Sequence, residues 1–528
     1  MSGGLPKSWE ETEIGNLCDL INGRAFKKTE WSETGLPIIR IQNLNKPDAI
    51  FNYFSGELDP KHKVSPGTVL FAWSGTPGTS FGAHEWKGEV GALNQHIYKI
   101  EFNEDLVNKR FFKYSINQKL NELIGSAQGA VGLRHVTKGT FTATKVAFPP
   151  LNEQTRIANK LDSLLAQVIT AQTRLEKIPT LLKRYRQAVL AATTSGELTK
   201  EWREAQTTSF PRSRVGMPAD SGDTEQGMNS PTERAQAHGG VGELGEDSTY
   251  YLDIEDEIKG HPKLAKMKPL SSDEIEQAKT LFNSPDWSHW ELFALEQLVE
   301  AERGIPYGIV QTGDAQDIGI PTVRCGDVRP LAIRMDALKK VTPEIEEKYI
   351  RTRLKGGEVL LAIRGTVGNA AVASDELASM NANISREVAM IPVRENIDPN
   401  YIALLLQSPG GYRCLAEKVR GVAQKGINLA DVKRFVTPLP CIEEQTQIVR
   451  RVESLFTLAD TVEKQYLAAK QRLDRLSQSI LAKAFRGELV PQDPNDEPAS
   501  ELLKRIQEER EKLKPVKKKA VRKKRAAS

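Results

Sequence analysis

An apolar heptad pattern occurs twice in this chain, framed both times by the same landmarks. Glu153-Gln154-Thr155 opens one copy and Glu444-Gln445-Thr446 the other, and each closes on a Gly-Glu-Leu, at Gly196-Glu197-Leu198 and Gly487-Glu488-Leu489. The first seam reads Ile157, Leu161, Leu164, Val168, Ala171, Leu175, Ile178, Leu182, Tyr185, Val189. The second reads Ile448, Val452, Leu455, Ala459, Val462, Tyr466, Ala469, Leu473, Leu476, Ile480. Both alternate steps of four and three, the stripe of a left-handed coiled coil. A duplicated chain with two matched helices is expected to have two-fold pseudosymmetry. Pro179 falls inside the first run and removes a helical hydrogen bond, so a kink is expected there. The second copy has no proline at the matching place.

The regions before the helices repeat as well. Trp9-Glu10 corresponds to Trp290-Glu291, Gly35-Leu36-Pro37-Ile38-Ile39-Arg40 to Gly319-Ile320-Pro321-Thr322-Val323-Arg324, and Gly75-Thr76-Pro77-Gly78 to Gly365-Thr366-Val367-Gly368. The offset drifts through these regions and is constant through the helices, so helix spacing is fixed where the globular parts vary. Short β-like runs at Pro37–Ile41, Val69–Ala72 and His96–Ile100, separated by Gly/Pro turns and followed by a helical stretch near Asn108–Ile124, predict α+β units with mostly β cores.

Net charge is +4, but its distribution is uneven. Glu243–Glu257 holds seven acids and no base, and Lys512–Arg525 nine bases and no acid. The stretch Thr207–Asp247, rich in Ser, Gly, Pro and Glu, predicts a disordered linker. Ser271–Phe282 predicts a short helix with Ser272 as N-cap, and Ser500–Lys514 a charged helix. The basic tail after it would bind DNA non-specifically or remain solvated. Four scattered cysteines with no Cys-x-x-Cys pair support neither a zinc site nor a disulfide framework, and no apolar run approaches the roughly 20 residues of a membrane span. With no apolar signal core at Met1–Glu11, a cytoplasmic protein without membrane contact is expected.

Catalytic motifs are missing. There is no G-x-x-x-x-G-K-[ST] phosphate loop, no Asn-Pro-Pro-Tyr box and no H-E-x-x-H. Pro47-Asp48 with Glu57-Leu58-Asp59 lacks the lysine that a nuclease cluster would need. The isolated histidines, His84 and His96 among them, fit packing or turns better than metal. No catalytic or metal-binding residue is assigned. Two readings stay open on these residues: a sequence-specific DNA-recognition subunit, or a symmetric scaffold that binds two protein partners and no DNA.

Pro149-Pro150-Leu151-Asn152-Glu153-Gln154 and Pro438-Leu439-Pro440-Cys441-Ile442-Glu443-Glu444-Gln445 each end a globular unit and start a heptad helix. Gly421-Val422-Ala423-Gln424-Lys425-Gly426-Ile427-Asn428 precedes the second. In this duplicated order the chain resembles the specificity subunit of type I restriction-modification systems, over all but the 204–285 segment and the basic tail. The first half departs at Gln128–His135, where the second has Ala423–Asn428, which suits units that read different DNA. The resemblance implies a target recognition domain at 1–151, a central coiled-coil helix at 152–203, a largely disordered linker at 204–285, a second recognition domain at 286–441, a C-terminal coiled-coil helix at 442–490, and a charged helix with basic tail at 491–528. It further implies an antiparallel coiled coil that sets the gap between two half-sites of an asymmetric site in double-stranded DNA. Two methyltransferase subunits and two motor-nuclease subunits would be partners. S-adenosylmethionine, ATP and magnesium would belong to those partners and none to this chain. A helix from Gln154 to Ser195 spans roughly 60 Å at about 1.5 Å per residue, enough to hold readers of half-sites about 34–36 Å apart.

Base reading needs Arg, Lys, Asn or Gln on loops that reach a groove, and phosphate binding needs cations or backbone amides. In the first unit the candidates are Arg24, Lys27, Lys28, Arg40, Gln42, Asn43, Ser74, Thr76 and Arg134. In the second they are Arg303, Tyr307, Gln311, Arg324, Arg364, Thr366, Lys425 and Asn428. Arg40 and Arg324 end matching strands. On the helices, Arg156, Lys183, Arg184, Arg186, Arg450, Arg451, Arg472 and Arg475 lie off the seam, where they would meet methyltransferase subunits or solvent.

Overall fold

The protein is described by a computed structural model covering residues 4–46, 49–75, 81–125, 134–209, 246–283, 285–421 and 425–513. It is a mixed helix and sheet protein whose residues cluster into two compact units, Met1–Glu176 with Tyr466–Ser528, and Lys177–Gln465. Both helical stretches are therefore divided between the units.

In the first unit, strand Val69–Ala72 is buried on both faces, as its unbroken apolar run Val-Leu-Phe-Ala requires. It lies antiparallel between Gly82–Glu85 and Ile97–Glu101, with Asp19–Asn22 outside the latter. Strand Leu36–Ile39 pairs parallel with Gly91–Leu93, and Glu10–Glu13 pairs antiparallel with Lys145–Phe148. The second unit repeats these relations except the outer strand, in whose place stands the isolated bridge Tyr307–Ala389. Val359–Ala362 lies between Ala370–Val372 and Val388–Ile391, Ile320–Val323 pairs parallel with Asn383–Ile384, and Glu291–Ala294 pairs with Val436–Leu439. The duplication seen in the sequence is a duplication of register.

The repeated Glu-Gln-Thr joins each β domain to its helix. Trp9 Nε1 donates to Glu153 Oε2 at 2.9 Å and Trp290 Nε1 to Glu444 Oε2 at 3.0 Å. Gln154 Oε1 accepts from the Asn108 backbone N–H, and Gln445 Oε1 from that of Asp398, both at 2.9 Å. Each glutamine amide then donates to a proline carbonyl, Pro149 or Pro440. Gln154 and Gln445 are fully buried, so these bonds replace the water the amides have lost. Burial pushes the Glu153 carboxyl above its usual range, against the stabilising donors Trp9 and Gln492.

The first helical stretch breaks where expected. Helix Leu151–Leu175 ends, and Ile178–Ala192 begins with Pro179 in its first turn, where a missing N–H is harmless. The second stretch is one helix, Ile442–Phe485. In the first unit, Ile157, Leu161 and Val168 pack with Ile480, Ala484 and Phe485, and Gln172 donates to Asp474. In the second, Arg186 pairs with Asp460 at 2.6 Å and Glu463 at 2.8 Å, and Arg451 donates to the Leu198 carbonyl. Within each unit the packed helices thus run in opposite directions. Arg156 pairs with Asp496. These arginines, for which the sequence left a methyltransferase surface or solvent open, fasten the chain to itself.

One seam position differs from expectation. Leu476 is 46% exposed, and Ser477 takes the inward place between Leu473 and Ile480. A helix of 3.6 residues per turn drifts against a strict 3.5 repeat, and two successive steps of four, Ala469 to Leu473 to Ser477, correct the drift.

The 204–285 segment is not uniformly a linker. Residues 210–245 lie outside the described residues, but Glu246–Gly260 and Ser272–Leu281 are helices. Ile254, Ala278 and Phe282 enter the core of the second unit, and Tyr251 Oη donates to the Leu439 carbonyl at 2.8 Å. Acids dense around thinly spaced apolar residues lower the average hydropathy, yet at helical spacing those apolar residues share one face. The N-cap is Ser271, in a capping box with Glu274, one residue before the predicted Ser272. Helix Ala499–Leu513 packs Ala499, Leu502 and Ile506 against the first unit's core.

Candidate nucleic-acid interface

In the second unit, two parallel-paired segments and one loop meet at one end of the central strands. Gly308 lies so close to the Ile384 carbonyl that a Cβ there would stand 1.9 Å from the oxygen, so only glycine lets this segment approach. Ile309 then bridges Ser385 in parallel, and its carbonyl accepts the Arg386 backbone N–H at 2.9 Å. Arg364, one residue beyond strand Val359–Ala362 and Ile363, bridges Gly426, which also bridges Arg420. Thr366 Oγ1 donates to the Cys325 carbonyl at 2.5 Å, tying this turn to the end of strand Ile320–Val323. The edge therefore gathers Arg324, Arg364, Arg386, Arg420 and Lys425.

Their states differ. Arg324 Nε donates to the buried Asp327 at 3.2 Å, leaving its side chain 40% exposed. Arg364, Arg386 and Lys425 are exposed and form no ion pair among the described residues. Arg420 reaches Asp431 at 3.5 Å while staying largely in solvent. Exposed cations crowded together repel one another unless an anion joins them, which a phosphate backbone supplies. Cys325 donates its thiol proton to Glu387 at 3.0 Å, and burial with that neighbouring carboxylate pushes the thiol up to about 11. It stays protonated at neutral pH.

The first unit has the same edge in different chemistry. Gly23 lies against the Asn94 carbonyl, one residue on from the counterpart of the Ile384 carbonyl that Gly308 meets, and Arg24 bridges Asn94 as Ile309 bridges Ser385. Ser74–Gly75 pairs with Arg134–His135 where Arg364 meets Gly426. Arg24 pairs with Glu30 and lies over the Phe26 and Phe54 rings at 4.9 Å. Arg40 lies over Trp31 at 5.5 Å. Several buried polar atoms here have no partner among the described residues: Arg24 Nη1, Arg40 Nε, Gln95 Oε1 and His96 Nδ1. Such orphans are rare in native interiors and are met by water or a ligand.

Not every candidate belongs to these edges. Arg303 donates to Glu358 at 2.6 Å and to the Arg353 carbonyl at 3.2 Å, with only 11% of its side chain exposed, so it supports the fold. Asn43 is buried and accepts from the Arg40 backbone N–H at 3.0 Å, closing the turn after Arg40. Asn428 caps helix Leu429–Lys433 through a bond from Ala430, as Thr137 caps Lys138–Ala143. Ser74 is buried. Lys27, Lys28, Gln42, Tyr307 and Gln311 are exposed. Thr76, Pro47, Asp48 and the Arg134 side chain lie outside the described residues. The sequence reading missed Gln95, Arg386 and Arg420. Aligning Leu93-Asn94-Gln95-His96-Ile97 with Ile384-Ser385-Arg386-Glu387-Val388, strand against strand, would have found the first two.

The model for the type I restriction modification DNA specificity domain matches residues 6–180 and 288–469, the same two halves. The type I restriction enzyme EcoBI specificity subunit of Escherichia coli is 34% identical over 95% of this chain and 92% of its own length. The EcoKI specificity subunit of Escherichia coli K12 is 27% identical over 96% and 97%. Among solved structures, the HsdS subunit from Thermoanaerobacter tengcongensis has the same fold, with a TM-score of 0.53 at 18% identity over 92% of this chain and all of that one. A chain solved in work on complex assembly and conformational transition of the type I R-M system gives 0.56 at 18% identity, over 92% and 99%. The chain belongs to the type I restriction-modification DNA specificity family.

Proposed function

We propose that this chain is the DNA-sequence specificity subunit of a type I restriction-modification complex, a non-catalytic component in which each unit reads one half of a two-part, asymmetric DNA site. The observation that carries this reading is the repetition of one strand-end edge, cationic in the second unit and, in the first, rich in polar atoms without a partner among the described residues. Equal scaffolds with unequal edges suit two different half-sites. Domain boundaries at 1–151 and 286–441 fit those readers. The helices between and after them act as an antiparallel, pseudo-two-fold coiled coil that sets the spacer and docks two methyltransferase subunits. Two motor-nuclease subunits complete the assembly, and S-adenosylmethionine, ATP and magnesium serve on those partners. A scaffold that binds no DNA would have no use for two different edges at equivalent positions.

The test is a graft. Replacing the first globular unit with that of a relative, in cells that hold the partner methyltransferase, should change one half of the methylated motif read by long-read sequencing. A change in both halves, or in neither, would overturn modular reading.

A further inference from the structure

The geometry points to Gln95 and Arg386 as equivalent specificity-determining residues, Gln95 reading an A·T pair in one half-site and Arg386 a G·C pair in the other. This rests on the DNA-reading function proposed above. The equivalence comes from register. Asn94 and Ser385 make the same parallel bridge, to Arg24 and Ile309. Their backbone N–H groups bond the same strand ends, at the Ile39 and Val323 carbonyls. Two residues beyond Gln95 and Arg386, Ile97 pairs with Ala72 and, at the matching place, Val388 with Ala362. The intervening residue is thus held by the same backbone in both units, on a tight turn between two paired strands. A base reader needs such a rigid mount, because a bidentate contact tolerates little displacement.

The side chains then differ in the way base chemistry rewards. Arg386 is exposed, and its fork forms no ion pair or hydrogen bond among the described residues. A guanidinium presents two parallel donors, which match O6 and N7 of guanine. Gln95 is half-buried. Its Oε1 has no partner among the described residues, and its amide nitrogen lies 3.3 Å from His96 Nε2. One acceptor beside one donor matches N6 and N7 of adenine. Turning the Gln95 amide toward a groove breaks no protein hydrogen bond at that orphaned oxygen. Arg324 and Arg24, by contrast, are held by Asp327 and Glu30, which suits fixed positioning contacts.

The experiment uses the full chain with its methyltransferase subunits and maps methylated motifs by long-read sequencing for wild type, R386Q and Q95L. Discrimination should fall roughly 10- to 100-fold at one G·C pair in one half for R386Q, and at one A·T pair in the other half for Q95L. R386K, which keeps the charge and loses the fork, should relax the same G·C pair and provides the readout should R386Q fail to fold. Active variants with an unaltered motif, or one variant relaxing both halves, would overturn the assignment. A wild-type complex that modifies no two-part motif would instead overturn the function on which the assignment rests.

Discussion

Glu444 is a buried carboxylate with three donors around it: the Trp290 indole at 3.0 Å, the Thr199 hydroxyl at 2.6 Å and the Arg203 guanidinium. Removing one partner from such a group leaves the others desolvated and unmatched, which costs far more than the bonds contribute net. E444A should therefore destabilise the second unit by about 3 kcal/mol, and E444Q, which keeps an acceptor for Trp290, by less. Chemical denaturation of the full chain measures both, and a loss under about 1 kcal/mol for E444A would refute the clamp. The identity of this residue was legible, since Glu444 and Glu153 stand at matching places in the sequence. Its role was not, because satisfaction of a buried group depends on distant residues. The same limit misplaced Arg303, whose partner Glu358 lies far along the chain. An arginine that reads DNA and one that neutralises a buried acid look alike in sequence.

At the level of elements, the helices repeated in the sequence were legible because their period extends over many turns. The docked helix Ser272–Leu281 was half legible: its cap pattern was visible, its burial was not. Its anchor is Glu274, bound by Arg434 at 2.6 and 2.9 Å, which holds the carboxyl down at about 2. A lowered carboxyl pKa contributes stability above the ordinary value near 4.5 and loses it as pH falls from there toward 2. Hydrogen exchange of residues 272–281 should accordingly quicken between pH 5 and pH 3 beyond its intrinsic trend. E274Q should exchange fast at both values, with that pH-dependent part gone. Equal protection in wild type and E274Q at pH 6 would show that the pair does not hold the helix. The break at Pro179 belongs to the same scale. Its local cause was plain from the sequence, whereas the compensating drift that turns Leu476 outward needed the packed partner helix to be seen.

For the whole molecule, the proposal makes one chain do what a symmetric pair would do, with two readers joined by helices of fixed length. The sequence carries that idea in its constant offset through the helices and its drifting offset outside them. It is tested most directly by shortening both helices together. Deleting one heptad from each copy removes about 10 Å of helix at 1.5 Å per residue, close to three base pairs at 3.4 Å each. Long-read mapping of methylated motifs should then show both half-sites unchanged and the spacer shorter by about three base pairs. A modified motif with its original spacer would contradict the account.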